Sequence, residues 1–431
     1  MSKKAFRFIV PCASALALLF LPNGPLSGRM RGEAPLQRGT PPAAASTTSA
    51  QTRKTTEIQR APARTIKDPY SSFSAVAVDV ARNEIILEDE NLSQITVYDR
   101  LENTPPKVAL SEPKRIIGGR NTKIQHNCDV YVDPETGDIY SINGDITQYL
   151  TVWTRDQKGN VPASRMLETP HRTYGIAADE GTQEMFITTQ HPAAVLVWPK
   201  KAEGKDAPLR ILEGDHTQLA ESQGLALDTK NQLMYVSNKG AWAGLNNNVG
   251  WGRLYNPGST TWNISQQTRV LDFVPGTGEY REPSITVYPL KAKGDVSPLR
   301  KIQGPQTRLN WPSEMGLDID REELYVTNPV TNEILVFRST DNGNVAPIRV
   351  LKGSKTFLNV PNGVFVDTKN NELLVANYGN HSATVYPRTA SGDTAPIRTI
   401  RGAPANAQTP LFGNIGAITY DTKRSQLITF N

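Results

Sequence analysis

The chain copies itself, and that constrains its fold more than any other feature. Residues 360–402 read VPNGVFVDTKNNELLVANYGNHSATVYPRTASGDTAPIRTIRG, and residues 311–353 read WPSEMGLDIDREELYVTNPVTNEILVFRSTDNGNVAPIRVLKG. The two match piece by piece. A first segment of the form GxxxD ends in an aspartate that can accept backbone N–H groups in a tight turn. A second segment, ELxVxN, and a third, β-branched one follow; a Gly-Asp or Gly-Asn turn then leads through Ala-Pro into a fourth segment, RxIxG. Four short alternating segments separated by turn residues are four antiparallel strands. Proline at the entrance of the fourth suits an outer edge strand, which need not donate every N–H.

A repeat of this length signals stacked supersecondary units. First strands are predicted to end at Asp79, Asp133, Asp179, Asp228, Asp320, Asp367 and Asp421, and fourth strands to start at Arg64, Arg115, Arg165, Arg210, Lys301, Arg349 and Arg398. The strand from Arg64 precedes every first strand, and little follows the strand pair over residues 416–430. An open array would leave exposed sheet edges at both ends, and a closed ring removes them. The expectation is therefore an all-β fold, a seven-bladed β-propeller over residues 60–431, its ring closed by an N-terminal strand that completes the C-terminal blade. That composite blade has three strands, or four if residues 55–59 join it.

Composition agrees, with 31 Pro, 32 Gly and 38% hydrophobic residues favouring a turn-rich β protein. Residues 1–29 carry Lys3, Lys4 and Arg7 before an apolar run at 9–21, which reads as a signal peptide or N-terminal anchor. The run falls short of the roughly 20 apolar residues a comfortable span needs. The expected localisation is export to the periplasm, cell surface or medium, with membrane attachment only if the segment stays uncleaved. Residues 30–59, rich in Pro, Ala, Thr and Ser, read as a flexible tether. Cys128 has no second cysteine beyond the leader to pair with, so it reads as a buried structural thiol. A net charge of +5, without clustered basic residues and interleaved aromatics, offers no nucleic-acid footprint.

The segments LYVTN at 324–328, LLVAN at 373–377 and MYVSN at 234–238 resemble the YVTN and NHL classes of bacterial propeller repeat, over roughly residues 60–431. The resemblance implies architecture more than activity, because these classes include binding scaffolds as well as lyases and lactonases.

Loops joining fourth to first and second to third strands should meet on one face of a propeller, where sites usually lie. They bring forward His126, His191, Glu221, Glu314, Asn362 and Asn414 as candidate binding residues. The repeated Asn238, Asn328 and Asn377 read as turn residues, and the repeat aspartates as turn caps rather than calcium ligands. Blade 4 departs from the pattern: residues 239–284 intervene between its second and third strands and carry Trp242, Trp251, Trp262 and Tyr255. A long aromatic-rich loop in a compact fold points to recognition.

The leading expectation is a non-enzymatic exported scaffold that binds a protein or glycan through its loop face and this insertion, with no cofactor. The alternative is an enzyme of the lyase or lactonase kind with a divalent metal at the channel mouth, drawing on His126, His191, Glu221 and Glu314.

Overall fold

The structure, a computed structural model, describes residues 68–144, 147–190, 192–243, 279–405, 407, 418–421 and 426–429. The chain divides into two compact units, residues 68–411 and a second that joins residues 1–67 with 412–431. In the second unit the described residues form one antiparallel pair, Ile418–Asp421 with Gln426–Thr429. The strand expected from Arg64 lies outside the described residues.

Residues 68–411 form six four-stranded antiparallel sheets, each a simple meander. Their first strands are Phe73–Asp79, Asn127–Val132, Thr173–Asp179, Ser222–Asp228, Met315–Asp318 and Pro361–Asp367, and each packs against the next around a central axis. The last of them packs back onto the first. The protein is therefore a β-propeller with six blades in its ring, where seven were expected, and the ring closes without a composite blade.

The seam between blades 6 and 1 shows why no further blade is inserted. Phe73, Val76, Val78, Ile85 and Leu87 of blade 1 share one core with Leu374, Ala383, Val385 and Ile400 of blade 6. The Asn362 side-chain amide donates to the Ser74 carbonyl at 2.9 Å. At the rim, Thr104 N–H donates to Thr399 O at 2.9 Å and Ser111 N–H to Arg401 O at 3.0 Å. The other five seams are bridged by the glycine of the third-to-fourth turn, which pairs with the previous blade's outer strand: Gly159 with Ile117, Gly204 with Leu167, Gly294 with Leu212, Gly343 with Ile302 and Gly392 with Leu351. Blade 1 has no such turn and closes the ring with a longer loop. The Gly-Asn or Gly-Asp signature is thus an interblade stitch. Its acidic or amide side chain also reaches the neighbour, as when Asp393 Oδ1 accepts Lys355 N–H at 2.7 Å.

Turn aspartates behave as the repeat suggests. Asp79, Asp179, Asp228 and Asp367 each accept a backbone N–H of the following turn, at 2.9–3.0 Å. In blade 5 the capping residue is Asp318, not Asp320, and the fourth strand of blade 4 starts at Arg300, not Lys301. Both aspartates of that LDID segment fit the pattern by type, but the strand ends at the first. Fourth-strand arginines pair with the glutamate that opens the second strand: Arg115 with Glu84 at 2.9 Å, Arg210 with Glu184 at 2.7 Å, Arg349 with Glu323 at 2.6 Å and Arg398 with Glu372 at 2.7 Å. Cys128 is buried, as expected.

The root of the blade 4 insertion keeps the ladder intact. Asn238 pairs directly with Ser284, and a short second ladder continues from Ala241–Ala243 to Glu279–Arg281. The ends of the insertion are one strand spacing apart, as two paired strands require.

Candidate functional site

The loop face is built on the repeat asparagines. Side-chain oxygens of Asn143, Asn238, Asn328 and Asn377 accept the N–H groups of Gln125, Ala220, Asn310 and Asn359, at 2.7–3.2 Å. Each therefore ties the end of a second strand to the loop entering the first strand of its own blade. Their role is structural, as the turn reading expected.

One step further along those loops stands a ring of left-handed residues. His126, Arg172, Glu221, Trp311 and Val360 occupy equivalent positions in blades 2 to 6, at φ between 49° and 60°. Non-glycine residues rarely adopt this region, and for a β-branched side chain such as Val360 it is a true outlier. Backbone hydrogen bonds hold the conformation: the carbonyls of His126, Arg172, Glu221 and Val360 accept N–H groups of Gly144, Gln190, Lys239 and Tyr378, at 3.0–3.2 Å. Strain kept at one level of a rigid scaffold marks a region worth testing for function.

Towards the axis, the glycine of the GxxxD motif defines the innermost position, occupied by Ala75, Asp129, Gly175, Gly224, Glu314 and Gly363. Glycine is needed there because neighbouring backbones nearly touch. A Cβ at Gly175 would lie 2.5 Å from Gln223 O, and one at Gly224 would lie 2.6 Å from Ser313 O. Blades 2 and 5, opposite each other in a ring of six, break this rule with carboxylates. Asp129 accepts Val130 N–H and Ile176 N–H, both at 2.8 Å, yet burial pushes its carboxyl up to about 7. Burial pushes Glu314 well above the usual carboxylate range; the charge of Asp129 adds to this, while Lys239 opposes it.

A third carboxylate joins them. In blades 3, 4 and 5 a second-strand hydroxyl, on Thr188, Ser237 or Thr327, donates to the next blade's inner carbonyl at Gln223, Ser313 or Asn362. Blade 1 has Glu88 at that position, fully buried. Burial raises its pKa strongly; hydrogen bonding with the Ser141 hydroxyl of blade 2 moderates the shift, and Asp129 and Glu90 increase it.

Above these groups, residues that follow second strands reach left-handed residues of the next blade at two places. Glu90 of blade 1 meets His126 of blade 2, Oε1 to Nδ1 at 2.9 Å. Lys239 of blade 4 places its ammonium 5.3 Å from the ring centroid of Trp311 in blade 5 and 5.4 Å from that of Tyr174 in blade 3.

These positions revise the candidate list. His126 sits in an ion pair and Glu221 in the left-handed ring, while Glu314 lies on the inner ring. Among the described residues no three His, Cys, Asp or Glu side chains converge to hold a metal ion. Of the four residues of the expected divalent centre, His126, His191, Glu221 and Glu314, His191 lies outside the described residues. Asn362 stitches the closing seam, donating to Ser74 O and accepting from Ser313 Oγ at 2.9 Å. His191, Asn414, Trp251, Trp262 and Tyr255 lie outside the described residues, and Trp242 is described only as a strand residue opposite Tyr280. Glu88, Asp129 and Lys239 were missed by the sequence reading. The signal for the two carboxylates was present in the repeat, as an acid where aligned blades have Gly, Ala or a hydroxyl.

Compared with known proteins, the chain matches no family model, and it matches no curated protein sequence.

Proposed function

We propose that the protein is an exported binding scaffold of the YVTN/NHL propeller kind, engaging a protein or glycan through its loop face and the insertion at 239–284. One observation carries this reading. The insertion springs from an unbroken ladder, Asn238 opposite Ser284, beside the Lys239, Tyr174 and Trp311 cluster. A long segment added there extends the loop face while leaving the ring's own hydrogen bonds intact. Loop closure grows only slowly with length, so such an addition is tolerated by the fold. His126, Asp129 and Asn362 support the same reading, because each is tied to neighbouring loops or strands of the ring.

The enzyme alternative keeps one observation in its favour. Asp129 holds its proton up to about 7 and faces Glu314 from the opposite blade, and perturbed carboxyls of this kind serve acid–base chemistry.

Replacing residues 241–282 with a Gly-Asn turn separates the two. The expected variant melts cooperatively near the parent temperature and loses all binding to panels of immobilised oligosaccharides and peptides. Full retention of parent binding by a folded variant overturns the role of the insertion.

A further inference from the structure

We infer that Tyr174 and Trp311, with Glu314 beside them, form a recognition site for a primary alkylammonium group at the channel mouth, occupied in the resting protein by the chain's own Lys239. This goes beyond the partner of the insertion, because the walls of the site, Tyr174, Trp311 and Glu314, belong to the propeller ring.

Occupancy is the first argument. The Lys239 side chain is buried, and its ammonium lies within 5.4 Å of two ring centroids contributed by the blades on either side. Aromatic faces attract a cation when it sits within about 6 Å, and more strongly when water is excluded. The site therefore already holds the chemistry proposed for its ligand.

Preorganisation is the second. Trp311 is fixed in the left-handed ring at φ 56°, and Tyr174 belongs to the inner strand Thr173–Asp179. Neither wall depends on the lysine for its backbone position. Lys239 is anchored through its own N–H to Glu221 O at 3.2 Å, and Gly240 follows at φ 86° with its N–H on Ala220 O, also at 3.2 Å.

Charge is the third. Glu314 interacts electrostatically with Lys239, which favours the charged form of Glu314 against its burial. A cation that displaces Lys239 inherits that interaction, whereas a neutral alkyl group does not. In the equivalent place across the ring, Glu90 pairs with His126, so the aromatic pair is particular to blades 3 to 5.

The test titrates the full-length protein with n-butylammonium, which reproduces the lysine side chain, and with n-butanol as its uncharged counterpart. Wild type should bind n-butylammonium saturably and weakly. Lys239→Ala should bind it at least tenfold more tightly, with a matching rise in Tm, and should not respond to n-butanol. Adding Trp311→Ala or Glu314→Gln to that variant should reduce binding at least tenfold. If Lys239→Ala does not fold alone, refolding with n-butylammonium but not n-butanol should restore it. Absence of saturable binding to wild type, equal response to n-butanol, indifference to Trp311, or failure of both additives to restore folding overturns the inference.

Discussion

Carboxylates at the rim and at the axis of this propeller are treated in opposite ways. At the rim, hydrogen bonds from Arg349 bring Glu323 down to about 2, with burial opposing and Tyr325 and Arg388 assisting. Burial disfavours the charge of Glu84 and Glu333 as well, but Lys114 and Arg115 in one case, and Arg308 and Lys352 in the other, hold both below the usual range. At the axis no such cation is at hand for Glu88 or Asp129, and burial prevails. The glutamates that open second strands, Glu84, Glu184, Glu323 and Glu372, recur from blade to blade and belong to the repeat. Axial carboxylates appear where the repeat uses Gly, Ala or a hydroxyl. In a repeat protein, architecture is written in what recurs, and individuality in what departs from it.

Breaking the rim should have the largest effect. Arg388 is buried and bridges Asp318 at 3.1 Å and Glu323 at 2.8 Å, joining blade 6 to blade 5. Removing one partner of a buried pair strands the other charge and costs about 3–5 kcal/mol. Arg388→Ala is expected to lose that much in urea denaturation at pH 7. A loss no larger than that of an exposed substitution would show the rim network to be dispensable.

Much of this was legible beforehand, and the failures have physical causes. Strand order, turn aspartates and clamping asparagines could be read because each recurs and each has a local hydrogen-bonding reason. The blade number could not. A half-repeat at either end of the chain fits the pattern whether or not it enters the ring, and closure depends on the long loop at Thr104 and Ser111, which has no counterpart in the other blades. Taking Asp320 instead of Asp318 as the blade 5 cap also shifted that repeat by two residues. The shift hid Glu314's place on the inner ring, so the repeat points to it, as to His126, only as a polar residue of the loop entering a first strand, and Asp129, four residues before its turn aspartate, does not stand out.

Titration should resolve the two regions within one molecule. Asp129 has a raised folded pKa, about 7 against 3.8, so the folded state binds the extra proton. Its contribution is fully present below about 4 and is lost as pH rises towards 7. Glu323 has the opposite sign: its contribution is present above 4.5 and is lost as pH falls towards 2. Asp129→Asn should therefore gain in stability relative to wild type as pH is raised from 4.5 to 7.5, by an amount on the order of a few kcal/mol, read by urea denaturation. Glu323→Gln should differ from wild type least at the acid end. A pH-independent difference for Asp129→Asn would mean that its carboxyl is ionised in the folded protein throughout.

The smallest effect should come from returning blade 1 to the repeat. Thr188, Ser237 and Thr327 each donate a hydroxyl to the inner carbonyl of the next blade, and Glu88 stands where blade 1 would have that hydroxyl. An ionised Glu88 cannot donate to that carbonyl, and its burial disfavours the charge. A threonine could offer the same kind of bond across the seam between blades 1 and 2, while the smaller side chain gives up some packing. A satisfied buried hydrogen bond is worth about 1 kcal/mol net, and an unsatisfied group costs more. Glu88→Thr is therefore expected to stabilise the protein by about 1 kcal/mol where Glu88 is ionised. The gain should shrink as pH falls, because burial favours the protonated form of Glu88, which can donate. Measured by thermal denaturation across a pH series, a loss of stability at its alkaline end would place Glu88 among the rim-type, structurally required carboxylates and erase the distinction between axis and rim.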